Sequence, residues 1–285
     1  MIFAYLAIEI IKTVEYNSIK NKSRWYFMNS LRLLLESGKK VFGTLINLTD
    51  PCIGEVFGNI GYDCVWIDTE HTYMSHKEVL CHLNAAKASG ISAVVRVPQN
   101  DLTATKQILE MGPDGIIFPM VKSSKELNEL IAATLYPPLG IRGFGPMRAI
   151  GYGARDAKEY VTKSSLDLCR FIQIEHIDLI NEIEEIVKNP YVDGFIFGPN
   201  DLSLSLNDTL NVFGETTFSK IRYATELLKK YNKIIGVAGG ISEEEIEKWS
   251  SLDLDMYYMG SDWGFIYDRG KENLQRLKSF TKGVI

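Results

Sequence analysis

From residue 41 onward, short apolar runs alternate with longer stretches whose apolar positions recur every three to four residues. The runs at 42–48, 64–68, 92–97, 115–118, 169–174, 194–197, 234–237 and 256–259 predict eight strands. Most are continuously apolar and rich in β-branched residues, the pattern of strands buried on both faces. Between them the helical period predicts helices at 75–89, 102–111, from Ser124, at 177–187, 215–231 and 263–280, with Ser242 capping another. Asp50-Pro51 opens the helix after the first strand, because proline is tolerated in a first turn. A short helix at 31–36, capped by Asn29 or Ser30 and closed by Gly38, precedes the first strand. Residues 139–155 form a Gly-rich irregular segment, of a length uncommon unless functional or disordered.

Eight strand–helix units in one chain, with no linker-like tract, predict a single-domain (β/α)8 TIM barrel over residues 28–285. Residues 1–27 read as an N-terminal helical extension that precedes it. An open doubly wound sheet would usually carry a Gly-rich dinucleotide fingerprint after the first strand, and residues 47–51 do not supply one.

Composition narrows the function classes. The chain has 285 residues, of which 46% are hydrophobic and 24% charged, an ordinary globular balance with length for a large core. A formal charge of -5 without a basic tract argues against nucleic acid as a partner. The opening apolar segment carries Glu9, lacks a basic start and is too short to span a bilayer, so neither a signal peptide nor a membrane partner is expected. The four cysteines (Cys52, Cys64, Cys81, Cys169) lack C-x-x-C spacing and read as buried thiols of a cytoplasmic protein.

In such a barrel the chemistry sits at the carboxyl ends of the strands. Glu175 follows the fifth strand, and Asp201 follows the sixth just beyond Gly198-Pro199. Two acids at neighbouring strand ends suit one hard divalent cation, with water and substrate filling the other positions. Asp201, or Asn200, also reads as the cap of a helix starting at Leu202, so cap and ligand both stand as readings. Asp68 and His71, after the second strand, read as a carboxylate–imidazole dyad suited to a general base. Arg96 ends the third strand, where a guanidinium is costly to bury unless it meets an anion or a salt-bridge partner such as Asp101 or Glu70. Arg142, in the long loop, is placed either to reach the site or to pin the loop. No lysine stands at a strand end, which removes a Schiff-base nucleophile.

At these residues the chain resembles the metal-dependent class II pyruvate aldolases, of the 4-hydroxy-2-oxoheptanedioate and 2-keto-3-deoxyglucarate aldolase type within the citrate lyase β-subunit-like superfamily. The resemblance rests on Ile67-Asp68-Thr69-Glu70-His71, Val94-Val95-Arg96-Val97-Pro98, Phe118-Pro119-Met120, Tyr136-Pro137-Pro138-Leu139-Gly140-Ile141-Arg142-Gly143, Gln173-Ile174-Glu175, Gly198-Pro199-Asn200-Asp201-Leu202-Ser203 and Gly260-Ser261-Asp262. It implies that Glu175 and Asp201 bind Mg²⁺ or Mn²⁺, with Co²⁺ a further option, and that pyruvate chelates the ion. It implies that Gln173, Gly198, Pro199 and Asn200 hold the pyruvyl group, with Arg142 a further substrate contact. Arg96 is implied to steady the enolate oxygen, and His71, oriented by Asp68, to manage protons. The implied reaction is reversible cleavage of a 4-hydroxy-2-oxo acid to pyruvate and an aldehyde, in a homo-oligomer that is hexameric by resemblance. His176, after Glu175, and the loop at 144–149 depart from the family pattern, and that loop is expected on the aldehyde side.

Three other readings compete. A lyase acting on a CoA thioester calls for basic residues to hold its phosphates, and no basic cluster is evident. A phosphosugar barrel is prompted by Ala238-Gly239-Gly240-Ile241-Ser242 and Gly260-Ser261, since glycines after the last two strands often cradle phosphate. A non-catalytic barrel would neither take up a divalent ion nor release pyruvate.

Overall fold

The computed structural model describes residues 29–281. Within them eight parallel strands pair in sequence order and close on themselves. They are β1 (Val41–Ile46), β2 (Cys64–Asp68), β3 (Ser92–Arg96), β4 (Gly115–Phe118), β5 (Cys169–Ile174), β6 (Gly194–Phe197), β7 (Ile234–Gly239) and β8 (Met256–Ser261). The helices are α1 (Ser30–Glu36), α2 (Cys52–Ile60), α3 (His76–Ala88), α4 (Leu102–Met111), α5 (Ser124–Thr134), α6 (Ala157–Thr162), α7 (Ile177–Asn181), α8 (Ile183–Ile186), α9 (Pro199–Ser205), α10 (Glu215–Lys230), α11 (Glu243–Ser250) and α12 (Asp262–Thr281). The chain is a (β/α)8 barrel; the 1–27 extension lies outside the described residues.

Alternation along the strands decides what faces the axis. Every position of β2 through β6 is buried, because helices cover the outside and side chains fill the inside. Cys64, Trp66, Val94, Ile117, Phe171, Ile196 and Tyr258 belong to the axial cluster, while Val65, Ile67, Val95, Ile116, Ile172 and Phe195 pack in the mantle against the helices. Gly43 makes the axial packing possible: a Cβ there would lie 2.6 Å from the Tyr258 ring, which meets Trp66 edge-on at 5.3 Å. Below this layer α1 closes the floor. Leu31 is fully buried in the axial cluster, Asn29 caps the helix by accepting from the Arg32 amide at 3.1 Å, and Arg32 pairs with Asp193 at 2.9 Å. Of the two caps expected, Asn29 is the one used.

Several expectations shift. The helix expected at 177–187 breaks into α7 and α8 at Glu182 (φ −103°, ψ 9°), whose carboxylate accepts from the Ser124 amide at 2.6 Å. The helix after β6 begins at Pro199 rather than Leu202, so Asp201 and Asn200 lie inside its first turn and neither is the cap. Proline fits the first position because its missing N–H would have no partner there. The irregular segment at 139–155 carries a 3₁₀ turn at Arg148–Gly153, and α6 and a second 3₁₀ turn at Ser164–Asp167, neither expected, follow it before β5. Cys64 and Cys169 are buried thiols as expected, but Cys52 is exposed at the start of α2.

Candidate active site

Extending the inward positions by one step reaches the mouth. Beyond Trp66 comes Asp68, beyond Val94 comes Arg96, beyond Phe171 comes Gln173, and beyond Ile196 comes Gly198. Asp68 and Arg96 stand side by side in the β2–β3 register. Arg96 donates to both Asp68 oxygens, from Nε at 2.9 Å and from Nη2 at 2.7 Å. Its Nη1 donates to Gln173 Oε1 at 3.2 Å and lies 3.0 Å from Glu70 Oε2. Gln173 passes the chain on, donating from Nε2 to Glu175 Oε2 at 2.6 Å, and the other Glu175 oxygen accepts from the Met120 amide. One hydrogen-bonded relay thus runs from β2 across β3 to β5, with the guanidinium also 5.2 Å above the Trp66 ring.

Gly198 sits against this relay. A Cβ there would fall 2.5 Å from Gln173 Nε2 and 3.0 Å from Glu175 Oε2. Pro199, Asn200 and Asp201 continue from it along the rim, in the lining of a cavity of about 910 Å³ that also includes Asp68, His71, Arg96 and Gln173.

The electrostatics single out the acids. Burial first, then the neighbouring charges of Glu70 and Asp201, push Glu175 up to about 7 against the opposing Met120 amide and Arg96. Glu70 is also raised, first by burial and then by Asp68 and Asp201, while Arg96 and His71 oppose the rise. Burial works against the Arg96 charge, and Asp68, Glu70 and Glu175 more than restore it. Four carboxylates, Asp68, Glu70, Glu175 and Asp201, therefore crowd one region with a single guanidinium, which is itself committed to Asp68. Glu70 Oε2 is buried without a hydrogen bond, because Arg96 Nη1 is close but poorly aimed.

This oxygen-rich surplus of negative charge fits a hard divalent cation held by Glu175 and Asp201. Among the described residues, no group of three or more His, Cys, Asp or Glu side chains forms a metal site by itself. Glu175 and Asp201 would supply two carboxylates, with water and substrate completing the shell.

Two expected placements change. Asp68 does not orient the His71 imidazole: its carboxylate is taken by Arg96 and by the Glu70 amide at 3.0 Å, since strand pairing puts Arg96 beside it. The His71 ring is instead exposed at the mouth, with Nε2 3.6 Å from Glu70 Oε2. Arg142 does not reach the mouth. It is buried, with its guanidinium 4.7 Å from the Tyr136 ring and 5.9 Å from Tyr160, and Nη2 donating to the Tyr160 hydroxyl at 3.3 Å. It pins the long loop, because a cation between two tyrosines gains more there than from extension into solvent.

The sequence reading passed over Glu70 as a site residue, naming it only as a salt-bridge partner for Arg96, from whose Nη1 its Oε2 lies 3.0 Å. It also passed over Asn47 and Asp262. Asp262 accepts from the amides of Asn47 and Leu48 at 2.9 and 2.8 Å, and Asn47 donates to Asp68 Oδ2 at 3.2 Å. No local pattern announces that contact between the first and last units of the barrel.

Comparison with known proteins decides the family. The sequence profile of HpcH/HpaI aldolase/citrate lyase matches residues 42–241. The chain belongs to this family. A hydroxypyruvate/pyruvate aldolase of Sagittula stellata is 32% identical over 216 residues, covering 75% of this chain and 82% of that protein. A 4-hydroxy-2-oxo-heptane-1,7-dioate aldolase of Shigella sonnei is 30% identical over 220 residues, covering 77% and 83%. Among solved structures, an HpcH/HpaI aldolase of Desulfitobacterium hafniense superposes with a TM-score of 0.80 at 26% identity, covering 86% and 95%. The citrate synthase SbnG gives 0.79 at 26%, covering 90% and 100%. Among the described residues no helix is long and apolar enough to cross a membrane.

Proposed function

We propose that this HpcH/HpaI family enzyme is a divalent-metal-dependent aldolase that reversibly cleaves a 4-hydroxy-2-oxo acid to pyruvate and an aldehyde. The observation that carries the reading is the Arg96–Gln173–Glu175 relay: Arg96, Gln173 and Asp201 line one cavity, and the buried Glu175, raised by Asp201 among its neighbours, is hydrogen-bonded directly behind Gln173. A cation held by Glu175 and Asp201 supplies Lewis acidity for a keto oxygen. Arg96 Nη1, the part of the guanidinium not clasped by Asp68, donates to the oxygen on which negative charge develops. Gln173 and the Gly198–Pro199 backbone orient the oxo-acid end, and the bare Gly198 leaves room for the Gln173 and Glu175 side chains that form the relay.

His71, steadied by Glu70 rather than Asp68, takes the proton from the 4-hydroxyl, directly or through water. The C3–C4 bond then breaks, its electron pair passes to the pyruvyl fragment, and C3 regains a proton to give pyruvate. The step needs no oxidant or reductant. The test is pyruvate release from a panel of 4-hydroxy-2-oxo acids, coupled to lactate dehydrogenase, with and without chelator. Chelator-sensitive release is expected; full activity after exhaustive chelation would remove the metal from the reaction.

The likeness to SbnG favours a second reading, condensation on a citrate precursor or a CoA thioester. Arg96 is the one guanidinium among the described residues lining the cavity, and no lysine joins it, so the polyanion such a reaction handles lacks partners. The phosphosugar reading loses the first of its two glycine segments, the one after β7. The Gly240 and Ser242 amides already donate to the Glu245 carboxylate, at 3.2 and 3.3 Å.

A further inference from the structure

We propose that the acceptor side of the cavity selects an uncharged, apolar aldehyde and discriminates against carboxylated and phosphorylated ones. This rests on the aldolase reading above and names the substrate class that reading leaves open. Three observations converge on it.

The first is the apolar wall. Opposite the relay, the cavity is bounded by Leu48, Ile241, Trp263 and Phe265, contributed by β1, β7 and β8 and the segments that follow them. The Phe265 ring and Ile241 close over Gly260, where a Cβ would lie 2.6 Å from the ring and 3.0 Å from the isoleucine, so the wall is packed rather than incidental. Trp263 and Ile241 are 57% and 44% exposed, leaving apolar surface for a substrate chain to cover.

The second is the charge of the lining. Arg96 already serves Asp68, Glu70 and Gln173. Asp268 adds negative charge to the lining, and Asp201 is committed to the cation on the relay side. A terminal carboxylate or phosphate of the aldehyde would be desolvated there with no free cation among the described lining residues and with the Asp268 carboxylate on the lining.

The third is the loop after β7. Its backbone donors would normally attract an anion at the head of α11. Here Glu245 fills them in a reciprocal capping box with Ser242, and a Cβ on Gly240 would collide with that carboxylate at 2.4 Å. The first turn of α11 adds Glu243 and Glu244. The fold has thus placed its own anion in the position a substrate anion would take.

In the synthetic direction the C3 carbon of pyruvate loses one proton and bonds to the aldehyde carbon, and the aldehyde oxygen gains one proton; only that oxygen and its substituent meet this wall. The test uses the full chain with Mn²⁺ and pyruvate. It compares kcat/KM for pentanal with its charged counterpart 4-oxobutanoate, and for glyceraldehyde with its 3-phosphate. Deuterium exchange into the pyruvate methyl group, followed by NMR without acceptor, reports the pyruvate half alone. The expected result is exchange together with a neutral-over-anionic preference of about tenfold or more, the effect of one unpaired charge near like charges. Exchange with no preference, or with the anion preferred, overturns the selectivity and leaves the aldolase reading intact. Absence of both exchange and cleavage with Mg²⁺, Mn²⁺ and Co²⁺ removes the aldolase reading, and the selectivity falls with it. Ile241→Arg supplies the missing cation at a half-exposed position and is expected to move the pentanal/4-oxobutanoate ratio about tenfold toward the anion. A ratio that does not move excludes Ile241 from the acceptor wall and overturns the inference.

Discussion

Arg96 holds the Asp68 carboxylate with two parallel hydrogen bonds, of 2.9 and 2.7 Å, at the carboxyl ends of adjacent strands. The clasp fixes which edge of the guanidinium remains for the cavity. With Nε and Nη2 occupied, Nη1 is the donor turned toward Gln173 and Glu70.

Arg96→Lys keeps a charge but loses the planar fork, so it cannot clasp Asp68 and reach Gln173 at once. Turnover is expected to fall by roughly a hundredfold or more, the scale for losing an oriented donor to developing charge. Near-normal steady-state turnover in the coupled assay would take Arg96 out of the chemistry. Asp68→Ala leaves a buried guanidinium with only Glu70 as ionic partner among the residues paired with it, and is expected to cost on the order of 3 kcal/mol in urea unfolding.

Glu175→Gln and Asp201→Asn remove charge while keeping shape. Each is expected to weaken Mn²⁺ binding by tenfold or more, about 1.4 kcal/mol, in calorimetric titration with an unchanged circular dichroism spectrum. Unaltered affinity in both variants would place the ion elsewhere.

Glu175 also sets a pH dependence. Its pKa is raised from 4.5 to about 7, chiefly by burial, so between these values the folded protein holds a proton that the unfolded chain has released. The contribution is fully present below about 4.5 and is lost as pH rises to about 7. Without metal, stability is therefore expected to drop across that window, by at most roughly 3 kcal/mol. Divalent cation binds the ionised form, so its affinity should rise with pH over the same range. Glu175→Gln should flatten the stability profile measured by denaturant titration; an unchanged slope would assign the proton to another group.

Glu70→Gln separates the two candidate partners of His71. Because the ring lies beside Glu70, and Asp68 is engaged by Arg96, the substitution is expected to lower kcat for cleavage by about tenfold with KM little changed, as the imidazole loses the group that orients it. If Glu70→Gln leaves kcat at the parent level, Glu70 is not the group that orients His71.

Gly198→Ala inserts a methyl 2.5 Å from Gln173 Nε2 and 3.0 Å from Glu175 Oε2. The relay must shift to admit it. Loss of most activity is expected with a modest destabilisation of about 1–3 kcal/mol, the usual cost of overpacking. Activity at the parent level would show that the relay geometry is not critical.

The sequence by itself determined the eight strands and the barrel they form, because apolar runs buried on both faces and their intervening helical periods are local patterns. Strands β2, β4, β5 and β6 begin and end where periodicity placed them. It also placed Asp68, Arg96, Gln173 and Glu175 at one end of the barrel, since strand polarity follows from chain order. The partner of each group was decided only in three dimensions. Register set Arg96 against Asp68 and so turned His71 toward Glu70, while Tyr136 and Tyr160 drew Arg142 away from the mouth. Glu245 satisfied the glycine loop that resembled a phosphate cradle. Charges pair with the nearest opposite or polar group in space, and that neighbour is fixed by how strands and loops close around the axis, which no window of sequence contains.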